Sequence, residues 1–123
     1  MSTFLDMLLR PEAPESLNVL PEAEYEIKRL SAELGAPVTL RLRGLPYGRT
    51  QELRRLEREQ DVEILLAGCR ELSDPRLGEK YGGAAPAETV KKLLLPGEIA
   101  DLARAVERLT GFRQDTIAEI KNA

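Results

Sequence analysis

The stretch 93–112, LLLPGEIADLARAVERLTGF, carries a start signal, a stop signal and a periodic apolar face, and the other segments must fit around it. Pro96 suits the first helical position, where its missing N–H costs nothing and its fixed φ already fits. Glu98 faces the positive end of the helix dipole. Gly111 fits the left-handed residue just past the end, from which Phe112 can fold back onto Val106, and Arg104 and Arg108 lie toward the electronegative terminus. Between these ends Ile99, Leu102, Val106 and Leu109 recur at intervals of three and four, while Asp101, Arg104, Glu107 and Arg108 point elsewhere. The pattern predicts a helix over about 96–110 with one buried face. About 15 residues of helix span roughly 22 Å, and each large apolar side chain on that face contributes roughly 1.5–3 kcal/mol when fully buried.

A chain of 123 residues, 42% apolar and 32% charged, is of a size and composition that fold as one domain without staples. It has one cysteine and no histidine, so it lacks an internal disulfide, the commonest general base and the commonest metal ligand. No apolar run approaches the roughly 18 residues of a membrane span, and the first residues lack the pattern of a secretory signal. The expectation is a chain that stays inside the cell, off the membrane.

The net charge of −3 is unevenly spread. Residues 1–40 carry seven acids against three bases, and residues 41–60 carry six bases against three acids. The basic stretch holds Arg41, Arg43, Arg49, Arg54, Arg55 and Arg58, which raises nucleic-acid binding as one reading. Pairing with nearby glutamates accounts for the same residues more simply.

Residues 1–10 place Phe4, Leu5, Leu8 and Leu9 at helical spacing behind a Ser or Thr cap, which predicts a short amphipathic helix. The proline- and glutamate-bearing stretch 11–21 reads as a linker, and 22–123 as one globular domain. Within it the period changes to two. Tyr25 and Ile27 alternate with Glu24, Glu26 and Lys28, and Val38, Leu40 and Leu42 alternate with Thr39, Arg41 and Arg43, giving strands over about 22–30 and 38–43 joined as an antiparallel hairpin. A register pairing Ile27 with Leu40 and Tyr25 with Leu42 also sets Glu26 against Arg41 and Glu24 against Arg43, so apolar and ionic matches coincide.

Thr50 is the expected cap of a mostly wet helix over 51–60. Asp61 is the expected cap of a second core helix bearing Val62, Leu65, Leu66, Cys69 and Leu72 on one stripe, with Gly68 marking a close helix contact. Cys69 reads as a small buried hydrophobe, since nothing in the chain would activate it as a nucleophile. The pair Asp74 and Pro75 restarts a short helix, Gly82 and Gly83 make a turn, and Pro86 starts another helix. A last turn or two is expected over 116–120, with Ile117 and Ile120 reaching the core. The expected fold class is therefore α+β, mainly α. No phosphate-cradling glycine loop, nucleophile–base pairing or metal-ligand spacing is present, so neither catalysis nor a cofactor is expected.

One chained series of motifs resembles a known family. It runs through Leu77, Lys80-Tyr81-Gly82, Pro86-Ala87-Glu88, Leu94-Leu95-Pro96-Gly97-Glu98-Ile99 and Leu109-Thr110-Gly111-Phe112. In these residues, and more loosely from Pro21 onward, the chain resembles the XkdN-like tail assembly chaperones of tailed phages and phage-derived elements. Thr110 stands where serine is the more usual residue, and 69–73 lacks the proline and aromatic residue expected before Asp74. The resemblance implies a non-enzymatic cytoplasmic factor that coats the tape measure protein, keeps it soluble until tube protein polymerises around it, and is absent from the finished tail. It implies no catalytic, metal or cofactor residues. The tape measure protein is the implied partner, with the tail tube protein a second candidate and self-association left open. Leu95, Pro96, Gly97, Glu98, Ile99, Gly111 and Phe112 are then family-motif residues of structural role, and Phe4, Leu5, Leu8 and Leu9 the proposed partner contacts. The alternatives are a small nucleic-acid-binding phage factor and an enzyme.

Overall fold

The structure, a computed structural model, describes residues 3–121. Among them are seven α-helices and one two-stranded antiparallel sheet, the α+β, mainly α architecture expected from the sequence. In chain order these are α1 (Phe4–Leu8), β1 (Glu22–Glu26), α2 (Lys28–Leu34), β2 (Thr39–Arg43), α3 (Tyr47–Arg54), α4 (Gln60–Gly68), a 3-10 turn (Arg70–Ser73), α5 (Pro75–Tyr81), α6 (Pro86–Leu93) and α7 (Pro96–Leu109).

The centre is α7, and its ends fall where the sequence puts them. Leu95 is the N-cap, Pro96 opens the helix, and the Glu98 carboxylate accepts the Leu95 N–H at 2.8 Å, taking up one of the four N–H groups every helix start leaves over. At the far end Gly111 has φ +104°. The buried face is wider than the expected stripe. Ala103 and Ala105 are buried with Ile99, Leu102 and Val106, whereas Leu109 is half-buried. The reason is that α7 packs on two neighbours at once, α4 and the hairpin.

Two close approaches fix those neighbours. Gly68, at the end of α4, has the γ-methyls of Val106 against it, so closely that a Cβ there would stand 2.7 and 2.8 Å from them and 2.9 Å from the Arg43 carbonyl oxygen. The contact expected of Gly68 is thus with α7 and β2 together. Gly44, just past β2, meets the Leu109 carbonyl, and the Leu45 N–H donates to the Thr110 hydroxyl at 2.9 Å. Hairpin, α4 and α7 close around Leu40, Leu42, Leu65, Cys69, Leu102 and Val106.

The hairpin departs from expectation in length, connection and register. β1 stops at Glu26, and the chain makes a seven-residue helix, α2, before returning. Ile27 serves as its N-cap and Gly35, at φ +73°, as its stop. The ladder pairs Glu22 with Arg43, Ala23 with Leu42, Glu24 with Arg41, Tyr25 with Leu40 and Glu26 with Thr39. This is two residues away from the expected register, so Ile27 does not face Leu40, nor Glu26 Arg41. The cause is the connection. With α2 starting directly after Ile27, the strands must close there, and the Ile27 N–H donates to the Val38 carbonyl while the Val38 N–H donates to the Ser31 hydroxyl.

Other boundaries shift too. Thr50 is no cap, because α3 begins at Tyr47 behind Pro46, and the Thr50 hydroxyl donates back to the Pro46 carbonyl at 3.1 Å. That helix ends at Arg54, since beyond the buried Leu53 it offers only the half-buried Leu56 for packing. Glu59, at φ +58°, rather than Asp61, caps α4, and Leu72 of the expected stripe reaches the core from the 3-10 turn instead. Asp74 and Pro75 start α5 and Pro86 starts α6 as expected. Residues 116–120 form no helix, and Ile117 and Ile120 are 88% and 73% exposed. Two isoleucines over five residues supply too few contacts to offset helix nucleation.

Candidate functional site

A polar, catalytic type of site has little to build on. Cys69 is 1% exposed, and burial pushes its thiol pKa up, which disfavours the thiolate that a nucleophile or ligand needs. Among the described residues no group of three or more Cys, Asp and Glu side chains is arranged to hold a metal ion.

Three of the six arginines of the basic stretch are occupied. Arg41 pairs across the ladder with Glu24 at 3.2 Å, Arg49 pairs with Glu52 at 2.9 Å, and the Arg54 guanidinium lies 4.4 Å from the centre of the Phe112 ring. Arg43 stands opposite Glu22. Arg41, Arg49 and Arg54 thus turn to three different neighbours.

The motif residues lie at the two ends of α7. Glu98 accepts, besides the Leu95 N–H, a two-pronged bond from Arg29 of α2, with Nε at 3.0 Å and Nη2 at 2.9 Å. The same Nη2 also donates to the Leu93 carbonyl at 3.2 Å. The Arg29 bonds hold the Glu98 carboxyl below its usual range. Pro96 and Gly97 carry the chain over the helix start, Ile99 is buried, and Leu95 is half-exposed. Gly111 turns the chain so that the Phe112 N–H reaches the Glu107 carbonyl at 2.9 Å. Phe112 then lies against Arg54, on the α3 side, while the methyls of Val106 meet Gly68. Arg29 was missed because its partner lies in another element; a lone arginine in an apparent strand carries no signal of it.

What remains is exposed apolar surface, much of it on two segments. In α1, Thr3 and Asp6 form a reciprocal cap, with the Asp6 N–H donating to the Thr3 hydroxyl at 3.2 Å and the Thr3 N–H to the Asp6 carboxylate at 3.3 Å. The helix contains no buried residue. Phe4, Leu5 and Leu9 are 77%, 65% and 78% exposed, and Leu8 is 39% exposed. Phe4, Leu5 and Leu8 lie in α1 and Leu9 is its C-cap. Leu17 and Val19, between α1 and β1, are exposed as well. The second segment is the tail after Phe112, which carries Ile117 and Ile120. Contiguous exposed apolar side chains on a small protein mark an interaction surface.

No helix among the described residues is long and apolar enough to cross a membrane. No curated protein and no solved structure matches the chain. The profile of the phage XkdN-like tail assembly chaperone proteins matches residues 57–123. That range takes in α4 to the tail, with both ends of α7, and is shorter than the stretch from Pro21 suggested by the sequence resemblance. The family serves tail assembly and is not an enzyme family. With more than half of its length matched, the chain belongs to the phage XkdN-like tail assembly chaperone family.

Proposed function

We propose that this protein binds the tape measure protein of a phage or prophage tail in the cytoplasm of the host cell. It keeps that protein soluble until tube protein assembles around it, and is left out of the finished tail. The contact is made by α1 through Phe4, Leu5, Leu8 and Leu9.

The observation that carries this reading is that α1 satisfies its own helix start yet buries none of its apolar side chains. A five-residue helix is unstable alone in water, and an apolar stripe of this kind gains its free energy by lying in a groove on a partner. The linker lets the helix move without disturbing the domain. A factor that covers apolar segments of an unassembled protein suppresses its aggregation by mass action, with no active site needed.

The test is co-expression of the tape measure protein with the full chain and with a chain beginning at Glu12. The expected result is less soluble complex with the shortened chain at an unchanged thermal midpoint of the domain. Equal capture of the tape measure protein by both chains would remove α1 from the role.

A further inference from the structure

A groove of about 470 Å³ is lined by Leu20, Leu45, Pro46, Tyr47 and Phe112, with Arg54 the one charged residue along it. Leu45 is buried, whereas Tyr47, the first residue of α3, is 81% exposed. A smaller pocket of about 120 Å³ adjoins the groove, sharing Leu45, Arg54 and Phe112 with it and adding Leu53 and Ile64. That is room for about one large apolar side chain. The one acid lining the pocket, Glu107, is already met by Arg113 at 3.4 Å. Among the described residues Arg54 has no carboxylate partner. The Phe112 ring covers one face of its guanidinium at 4.4 Å and leaves the N–H edge to donate to a carboxylate. Groove and pocket together are therefore apolar with one uncompensated positive charge.

The segment that carries α1 enters the domain along this groove. Asn18 and Leu20 form part of its lining, and the Gly44 N–H donates to the Pro21 carbonyl at 3.0 Å, which fixes the segment as it leaves. The stretch from Leu9 to Asn18 is short enough to keep α1 within roughly 30 Å of the groove even when fully extended. A protein held by α1 is thereby presented to the groove at high effective concentration.

We infer that the groove between Tyr47 and Phe112 takes a second part of the tape measure protein that α1 contacts, an apolar segment with a carboxylate beside its large side chains. The inference rests on the reading of the partner given above and adds a second site for it. One large side chain enters the pocket beside Phe112, its neighbours lie on Leu45 and Tyr47, and the carboxylate meets the N–H edge of Arg54. A segment with a base at that point is rejected by Arg54. Two weak contacts on one tethered frame then hold the partner more tightly than either does alone.

The experiment co-expresses the tape measure protein with the full chain carrying p-benzoylphenylalanine in place of Tyr47, followed by irradiation. The expected result is an adduct with the tape measure protein, at a peptide that joins large apolar residues to an acid. In parallel, Tyr47→Asp and Arg54→Glu should each lower the soluble complex at least threefold, and Arg54→Lys should lower it less. Thermal midpoints report folding, and Tyr47→Asp carries the mutational test alone if Arg54→Glu does not fold, since Tyr47 is exposed at the start of α3. The same changes in the chain beginning at Glu12 separate the two sites. Loss of capture there supports the groove whether or not α1 has a role. If truncation lowers capture while Tyr47→Asp and Arg54→Glu capture normally, the groove has no part in binding and α1 keeps its own. Adducts confined to a second copy of this chain, or to residues 3–9 of the same copy, would also overturn the inference.

Discussion

Arg29 and Glu98 lie 69 positions apart in the chain and close a two-pronged ion pair at 2.9 and 3.0 Å that joins α2 to the first turn of α7. One carboxylate thereby serves two purposes, capping the central helix and tying to it the helix that interrupts the hairpin.

This pair makes a signed prediction about pH. The folded-state pKa of Glu98 lies below its ordinary value of 4.5, so its contribution to stability is fully present above that value and is lost as pH falls through the lower, folded one. Urea midpoints of the wild type should fall on acidification below 4.5, and the difference from Glu98→Gln should shrink over the same range. Asp74, held at about 2 by the Arg76 guanidinium, acts in the same sense, its contribution being lost as pH falls toward that value. A difference between wild type and Glu98→Gln that does not change with pH would contradict the pairing.

Leu102→Ala should cost roughly 2–5 kcal/mol, because the side chain is buried between α7 and its neighbours and its removal leaves a cavity. Chemical denaturation measures this directly, and a loss below about 0.5 kcal/mol, the level of a surface change, would be inconsistent with its place in the core.

How far these features could be read from the letters depended on whether the physics was local. The ends of α7 were legible because a proline, a glutamate three positions past the cap and a glycine each act within one turn. The hairpin was half legible. Alternation fixes which side chains share a face, and Tyr25, Leu40 and Leu42 do so, but any even slip preserves the faces, and the choice among such slips fell to α2. That helix was hidden because Ile27 completes the strand pattern while acting as a helix cap. The proposed contact residues Phe4, Leu5, Leu8 and Leu9 rest on helical spacing within a single short segment, a local signal. The pairing of Arg29 with Glu98 exists only once distant segments meet.

Cys69 should resist thiol reagents in the native protein and react once it is unfolded. It is buried at the end of α4 and its thiol pKa is raised, so both access and thiolate are limiting. Labelling with an aromatic disulfide at neutral pH should follow the unfolding transition measured by circular dichroism. Rapid stoichiometric labelling without denaturant would show that the α4–α7 contact opens readily.

That contact supplies the sharpest test of the packing. By propensity alone Gly68→Ala should help, since alanine is favoured over glycine in a helix by about 1 kcal/mol. The added Cβ, however, would stand 2.7 and 2.8 Å from the methyls of Val106 and 2.9 Å from the Arg43 carbonyl oxygen, a backbone atom that cannot rotate away. Overpacking of this kind costs typically about 1–3 kcal/mol, so the net effect should be destabilising. Val106→Ala would remove the two methyls and also cost stability by itself, because Val106 is fully buried. If the two residues press on each other as the distances state, the double variant should be less destabilised than the sum of the single ones, with a coupling of about 0.5–3 kcal/mol. The coupling should stay incomplete, since the Arg43 carbonyl remains in place. Denaturation of the four proteins in the cycle gives the answer. Additive effects within about 0.3–0.5 kcal/mol would mean that Gly68 and Val106 do not share the space the structure assigns them.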